Sequence, residues 1–132
     1  MSEMRFHGMV PYLFYEEIEP ALEWYARVFG FEERGRWQND AGAVTNAEMT
    51  VGDTELWMDR GSFRWVDPDG KPASMWVGVW VDDVDAMYER VREAGAEPSA
   101  PLDREFGVRT FDVKDPFGYR WGFMRRIGAA SA

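Results

Sequence analysis

The chain has 132 residues, a formal net charge of −9 and no cysteine. The lack of cysteine excludes a disulfide scaffold and thiolate chemistry, and the acidic balance argues against a nucleic-acid partner, which requires clustered lysine and arginine. No apolar stretch approaches the roughly 20 residues that cross a bilayer, so we expect no membrane partner and a cytoplasmic location.

The first half predicts the element order strand, helix, strand, strand, strand. Residues 6–15 alternate as a strand, with Tyr12 and Phe14 on one face. Residues 18–29 carry apolar side chains at helical spacing, and Gly30 is placed to end that helix. Turn-forming residues then separate three further predicted strands, at 32–38, 43–51 and 54–60.

The second half predicts the same order after a linker at 61–74. A strand at 75–81 leads into a helix at 84–94, which Asp82 or Asp83 is expected to cap. Three further strands are predicted near 97–100, 107–114 and 119–125.

The two halves also match residue by residue at an offset of 66 positions. Residues 14–19, Phe-Tyr-Glu-Glu-Ile-Glu, correspond to residues 80–85, Trp-Val-Asp-Asp-Val-Asp. A half-length repeat predicts two copies of one unit, related by a pseudo-twofold, with a pocket lined from equivalent positions in both. We expect one domain over 1–132 with the modules 6–60 and 75–127 and a frayed tail at 128–132.

Three segments carry a family resemblance. They are Tyr-Ala-Arg-Val-Phe-Gly-Phe at 25–31, Val-Asp-Asp-Val-Asp-Ala at 81–86, and Asp-Pro-Phe-Gly-Tyr-Arg-Trp at 115–121. In this order they resemble the vicinal oxygen chelate superfamily, which includes glyoxalase I, extradiol dioxygenases, fosfomycin-resistance enzymes and bleomycin-resistance proteins. The resemblance implies an α+β fold in which two βαβββ modules form a cup-shaped, barrel-like mixed sheet with the helices outside. It also implies a homodimer.

Metal enzymes of this superfamily take histidine, glutamate or glutamine ligands from the first and last strand of each module. Carried over by position, the four ligand positions fall at Val10, Leu56, Trp76 and Gly122. None of these side chains coordinates a divalent metal, which requires imidazole or carboxylate groups. We therefore predict no metal and no cofactor, although Glu55 and Trp57 flank the position of Leu56 if the register slips by one.

Aromatic side chains occupy the faces from which the ligands are missing, while Gly78 and Gly122 leave space between them. This pattern predicts an apolar slot for a small aromatic molecule, and the alternative is that the rings only fill the core. Glu48 and Asp112 are expected to be repeat mates on the third strands. The predicted ligand-binding residues are Tyr12, Phe14, Glu48, Met58, Trp76, Trp80, Asp112 and Arg120.

The resemblance to bleomycin-resistance proteins implies a metal-free protein that binds and sequesters a small aromatic compound, and the acidic net charge favours a cationic one. Two enzyme alternatives stay open. One is a glyoxalase-like lyase, isomerase or dioxygenase with non-standard metal ligands, drawn from His7 or from Glu48 and Asp112. The other is a metal-independent enzyme in which Glu48, Asp112 or Arg120 serves as acid, base or anion clamp. Catalytic residues are not assigned.

Overall fold

The structure is a computed structural model that describes residues 4–61 and 75–128. The chain divides into two compact units, Met1–Ala26 with Gly30–Phe63, and Arg27–Phe29 with Arg64–Ala132. Apart from Gly61 and Gly128, the predicted linker and the predicted tail lie outside the described residues.

The first unit has one helix and a four-stranded mixed sheet. In the sheet order β1-β4-β3-β2, β1 pairs in parallel with β4 and the other neighbours are antiparallel. The elements are β1 (Tyr12–Tyr15), α1 (Ile18–Trp24), β2 (Glu32–Gln38), β3 (Val44–Val51) and β4 (Thr54–Arg60). A π-helix (Tyr25–Phe29) continues α1, and its last residues, Arg27–Phe29, belong to the second unit.

The second unit repeats this topology, with the sheet order β5-β8-β7-β6 and a parallel β5–β8 pair. The prediction of two βαβββ modules is therefore confirmed. The elements are β5 (Trp76–Trp80), α2 (Val84–Glu93), β6 (Leu102–Arg104), β7 (Val108–Lys114) and β8 (Arg120–Arg126).

Two predicted strands are wrong in extent or place. The strand predicted at 6–15 begins only at Tyr12, because Gly8 adopts φ 133 and Pro11 has no backbone N–H to donate. The strand predicted near 97–100 lies instead at Leu102–Arg104. Prolines at positions 98 and 101 bracket the predicted stretch and cannot donate to a sheet ladder.

Local capping follows the sequence. Asp83, rather than Asp82, caps α2, since its Oδ1 accepts a hydrogen bond of 3.0 Å from the backbone N–H of Ala86. Gly30 ends the first helix in the left-handed conformation at φ 83, and its N–H donates to the carbonyl of Tyr25 at 2.9 Å. That five-residue spacing closes a π-helical turn where the sequence predicted only an α-helix.

In the first unit, the core lies between α1 and one face of the sheet. Leu13 and Tyr15 of β1 are buried on this face, as are Leu56 and Met58 of β4. The hydroxyls of Tyr15 and Tyr25 are 2.8 Å apart, which satisfies both polar groups inside this core. Complete burial of each large apolar side chain contributes about 1.5–3 kcal/mol, so the side chains on this face stabilise the folded state.

In the second unit, the core is mostly aromatic. The Phe29 ring packs 5.3 Å from that of Trp121 and 4.9 Å from that of Phe123, and Phe111 stacks on Phe123 at 5.4 Å. Val84 and Val91 of α2 are also fully buried. In each unit, the opposite face of the sheet carries exposed aromatic side chains, Tyr12 and Trp57 in the first and Trp76 and Trp80 in the second. Within the described residues, no helix is long and apolar enough to cross a membrane.

Candidate functional site

The exposed sheet face of the first unit presents a row of side chains that crosses three strands. Tyr12 on β1 pairs with Trp57 on β4, and Trp57 pairs with Glu48 on β3. Side chains of paired residues project to the same face of a sheet, so these three are neighbours. The rings of Tyr12 and Trp57 meet edge to face, with centroids 5.9 Å apart and planes at 73°.

Tyr12 also contacts the next row on the same face. Its ring stacks on Phe14 at 5.4 Å, and its hydroxyl donates to Oδ2 of Asp59 at 3.0 Å. The hydrogen bond to Asp59 raises the pKa of Tyr12 above its ordinary value, because an ionised phenolate could not donate to that carboxylate. The hydroxyl therefore stays protonated and ties the ring to β4.

Carboxylates dominate the charge on this face. The indole N–H of Trp57 donates to Oε1 of Glu55 at 2.7 Å, which fixes the edge of the ring. Arg34 donates to Oε1 of Glu48 at 2.5 Å and lies 3.5 Å from Oε2 of Glu55. Glu48, Glu55 and Asp59 thus place three carboxylates on this surface, where Arg34 supplies one positive charge. The first unit's exposed face is therefore acidic.

In the second unit, the corresponding row is occupied by an indole from a neighbouring position. Gly78 on β5 pairs with Gly122 on β8, which pairs with Asp112 on β7. The Trp76 ring lies across both glycines: a β-carbon added to Gly122 would overlap its Cζ2 atom. A β-carbon added to Gly78 would lie 2.7 Å from its Cζ3 atom, which is also too close. Glycine is therefore required at both positions for the ring to lie flat.

A carboxylate fixes this second indole as well. The N–H of Trp76 donates to Oδ1 of Asp112 at 2.9 Å, and Arg120 lies 3.9 Å from Oδ2 of the same carboxylate. The guanidinium of Arg126 stands 4.6 Å above the ring of Trp80, a cation–π contact. Lys114 pairs with Arg120 across the β7–β8 ladder. Lys114, Arg120 and Arg126 thus share a face on which Asp112 is the opposing carboxylate of β5, β7 and β8, and the second unit's exposed face is basic.

Most of the predicted site residues lie on these two faces. Tyr12, Phe14 and Glu48 share the face of the first unit, and Trp76, Trp80, Asp112 and Arg120 share the face of the second. The space predicted beside Gly78 and Gly122 is filled by the indole of Trp76.

The placement of Met58 is wrong. Met58 is 1% exposed and pairs with Leu13 and Ala47, which are buried on the core face. The assignment of Leu56 is wrong for the same reason, because the alternation of β4 is offset by one from the predicted register. Trp57 takes the place on the exposed face, and Asp59 and Arg34 also escaped the sequence analysis. The sequence did contain a signal for the correct register. Leu56 and Met58 are apolar residues two positions apart, as are Ala47 and Met49, and matching the two pairs on the core face turns Trp57 and Asp59 outward.

The residues present do not fit the metal of the superfamily. Of the four ligand positions that the sequence resemblance implies, Val10, Trp76 and Gly122 keep their assignment and Trp57 replaces Leu56, and none of these side chains ligates a divalent ion. In the part of the chain that the structure describes, no three histidine, aspartate or glutamate side chains cluster as a metal site would require. His7 is exposed on the segment before β1. The prediction of a metal-free site stays a prediction.

Comparison with known proteins agrees with this architecture. The Glyoxalase/Bleomycin resistance protein/Dioxygenase superfamily matches residues 7–123. The chain belongs to this superfamily. An uncharacterized protein of Mycobacterium bovis is 27% identical over 129 residues, covering 91% of this chain and 84% of that protein.

Two solved structures superpose over nearly the whole chain. TioX from Micromonospora sp. ML1 is 32% identical, with a TM-score of 0.76 and coverage of 92% of this chain and 100% of that one. The bleomycin-binding protein of the bleomycin-producing Streptomyces verticillus, solved with copper(II)-bleomycin, is 23% identical with a TM-score of 0.68. That superposition covers 96% of this chain and 100% of the bleomycin-binding protein, and at this identity it shows the fold alone.

Proposed function

We propose that this member of the superfamily binds and sequesters a small planar aromatic compound, without a metal and without chemical conversion. The observation that carries the proposal is the Trp76 indole, which lies flat on Gly78 and Gly122 with its N–H bonded to Asp112. The ring is 42% exposed although its inner face is covered. The outer face is a stacking surface that needs no further hydrogen bond.

Further exposed rings support a stacking function. Tyr12, Trp57 and Trp80 are 43%, 37% and 53% exposed, although large aromatic side chains bury well and dominate most cores. Aromatic stacking contributes about 0.5–1.5 kcal/mol per pair beyond the burial of area. A few such contacts with a rigid planar ligand give useful affinity, because little conformational entropy is lost on either side.

Charge refines the proposal for the first unit. The carboxylates Glu48, Glu55 and Asp59 surround the edge-to-face pair of Tyr12 and Trp57, so this face favours a ring that carries a basic group. A cation over an aromatic face adds roughly 0.5–1 kcal/mol at an exposed site. This acidity is local, and it agrees with the cationic preference that the net charge of −9 predicted.

The enzyme alternatives receive less support from the geometry. A metal-dependent reaction lacks its ligands at the family positions. A metal-independent reaction needs an available acid or base, yet Glu48 is ion-paired with Arg34, and Asp112 accepts the indole N–H of Trp76. Binding by the bleomycin-binding neighbour is a property of that protein, and it supports the proposal for this chain only by likeness of fold.

The proposal is tested by combining elemental analysis with a ligand screen. Protein purified without chelator should contain no stoichiometric zinc, nickel, iron or manganese after dialysis. A panel of planar aromatic compounds should quench tryptophan fluorescence saturably and raise the melting temperature, because a ligand that binds only the folded state stabilises it. A tightly held metal would overturn the metal-free proposal, and an unresponsive protein across the whole panel would overturn binding.

We also propose that the protein forms a homodimer. Met4, Phe6 and Met9 lie within six residues of one another before β1 and are between 82% and 94% exposed, and apolar side chains that together form an exposed patch mark a contact surface. A second copy of the chain is the expected partner. Sedimentation at micromolar concentration should give about twice the chain mass of 15.3 kDa, and a monomer under these conditions would contradict the proposal.

A further inference from the structure

We propose that the exposed face of the second unit recognises an aromatic ring that carries an acidic group, although the chain as a whole is strongly acidic. This inference rests on the proposed function, since it names the chemical class of ligand that Trp76 accepts. It departs from the preference for a cation that the net charge alone predicts.

Trp76 is held in one orientation. Gly78 and Gly122 leave no β-carbon beneath the ring, so the indole lies parallel to the sheet. The hydrogen bond of 2.9 Å from its N–H to Asp112 prevents rotation in that plane. A ligand ring stacked on the outer face is therefore aligned with the sheet surface, and its substituents project along that surface toward fixed neighbours.

One of those neighbours is a guanidinium. Arg120 pairs with Trp76 across the parallel β5–β8 ladder, so it stands one strand away, a separation of about 4.8 Å. Its only ion pair within the described residues is the 3.9 Å contact with Asp112, which is too long for a hydrogen bond. The guanidinium therefore keeps donors for an anionic group at the edge of a stacked ring.

The charge around the Trp76 ring favours an anion. Lys114 pairs with Arg120 beside Trp76, and Asp112 is the carboxylate that opposes these two cations on the same face. Arg126 lies farther along β8, over the ring of Trp80. One oxygen of Asp112 already accepts the indole N–H, which reduces its capacity for a ligand cation. A basic substituent at the ring edge would meet the guanidinium of Arg120 and be repelled, whereas a carboxylate or sulfonate would be attracted.

The test uses two probes with the same ring and opposite charge, naphthoate and naphthylmethylammonium. Binding is followed at single-residue resolution through the indole N–H signals in heteronuclear NMR spectra, with the Trp76 signal assigned from Trp76→Phe. We expect naphthoate to shift the Trp76 signal and to bind there roughly tenfold more tightly than the ammonium probe, a ratio typical of one charge-assisted contact. Added salt should reduce the ratio of the two affinities, because it screens the charges of the probes and of the protein.

Two arginines on β8 provide a matched pair of variants. Arg120→Gln should weaken naphthoate binding by about five- to tenfold, while Arg125→Gln should leave it unchanged, because Arg125 pairs with Arg109 on the core side of the sheet. Equal effects of the two substitutions would show that only the long-range field matters, and they would overturn the assignment of Arg120 as the anion contact.

Substitutions beside the ring separate positioning from folding. Asp112→Asn keeps an acceptor for the indole while it removes the negative charge, so naphthoate binding should become stronger, by roughly two- to fivefold for an exposed charge. Gly122→Ala should displace the ring, move the Trp76 N–H signal and weaken both probes. Naphthoate binding that is unchanged or weaker in Asp112→Asn would show that the charge of Asp112 does not oppose the anion, which would contradict the proposal.

The outcomes also distinguish this inference from the proposed function. If the ammonium probe binds at Trp76 as well as or better than naphthoate, the preference for an acidic group is wrong while stacking on Trp76 stands. If neither probe shifts the Trp76 signal but other planar compounds bind elsewhere, the inference is likewise wrong and the broader function stands. If no planar compound binds at all, both are wrong.

Discussion

The exposed faces of the two units place an indole and a carboxylate in the same cross-strand row but assemble them from different strands. In the first unit, Trp57 itself occupies the row, on β4 between Tyr12 and Glu48. In the second unit, the equivalent positions on β5 and β8 are both glycine, and Trp76 reaches over them from two residues earlier on β5.

In this chain, the repeat preserves the position of an indole bonded to a carboxylate more faithfully than the charge around it. Each half retains the backbone topology and an indole tied to a carboxylate, through Glu55 in one unit and Asp112 in the other. The remaining charges are opposite, acidic around Trp57 and basic around Trp76. Net charge, which averages over both faces, conceals this division.

The largest expected effect concerns the hairpins that hold β4 and β8 in register. In the second unit, buried Asp115 accepts hydrogen bonds from the backbone N–H groups of Phe117 and Tyr119 and from the indole of Trp121, at 2.8–2.9 Å. Asp115→Ala would leave these donors without their acceptor. We expect the free energy of unfolding to fall by about 3 kcal/mol, measured by urea denaturation.

The first unit supplies the control for this substitution. Its corresponding hairpin is a two-residue turn at Gly52 and the exposed Asp53. Asp53→Ala should therefore change stability by no more than about 0.5 kcal/mol, as surface substitutions usually do. Equal losses for the two variants would contradict the idea that only the second hairpin depends on a buried carboxylate.

The next effect separates the two stacking surfaces. Trp76→Ala should weaken the binding of an anionic planar probe by roughly tenfold or more, as truncation of a central tryptophan usually does. Trp57→Ala should instead weaken a cationic probe. Titration calorimetry measures the affinity of both variants for the two probes. Trp37→Ala, on edge strand β2, is the control and should change either affinity little. Loss of both probes in either variant would mean that the faces act as one site.

A smaller effect is expected at the Tyr12 hydroxyl, which has no counterpart in the second unit because Gly78 stands there. The folded-state pKa of Tyr12 is raised by its hydrogen bond to Asp59, so the bond stabilises the fold below the ordinary tyrosine pKa of about 10 and is lost as pH rises through the raised value. Tyr12→Phe should be less stable by up to about 0.5 kcal/mol at neutral pH. Melting temperatures that fail to converge in alkali would contradict this.

The smallest effect compares the ion pairs that join each helix to its sheet. Arg109 binds Asp85 of α2 at 2.8 Å and lowers the pKa of that carboxylate, whereas Arg36 lies 3.9 Å from Glu19 of α1. The Asp85 contribution is present above the ordinary aspartate pKa of about 3.9 and is lost as pH falls through the lowered value. Asp85→Asn should therefore melt slightly earlier than wild type at neutral pH and together with it in strong acid.

Glu19→Gln is the matched variant for that comparison. Its long, exposed ion pair should leave the melting temperature almost unchanged at every pH, since surface ion pairs contribute little. A difference between wild type and Asp85→Asn that persists below the titration range would assign the effect to helix capping or packing instead.

The fold could be predicted because its signals are local and repeated. Helical spacing over 18–29, turn residues at 39–42 and 52–53, and the offset of 66 between the halves together specify two βαβββ modules. The failures also have local causes. A predicted strand does not form over 97–100, where prolines interrupt the ladder, and the strand before Tyr12 is lost at Gly8 and Pro11.

The candidate site could be predicted only in part, because its chemistry depends on register and side-chain direction. The register of β4 differs by one residue from the predicted register. Leu56 and Met58 therefore lie on the core face, and Trp57 lies on the exposed face. The glycines at 78 and 122 correctly indicated close approach. The sequence could not show that the approaching group is the indole of Trp76, since a side-chain rotamer is set by neighbours that only the folded sheet brings together.

The contact between Trp76 and Gly122 also limits how this chain could change by mutation. In metal-dependent relatives, as the sequence resemblance has it, both positions carry ligands, yet here any β-carbon at position 122 would overlap the indole at position 76. A carboxylate introduced at position 122 alone would displace the ring without completing a metal site, and a histidine introduced at position 76 alone would leave one ligand above two bare glycines. The arrangement of Trp76 over Gly122 and a metal site at the same positions are thus separated by paired substitutions, each of which is unfavourable alone. Across homologous sequences, tryptophan at the first position and glycine at the second should be gained and lost together.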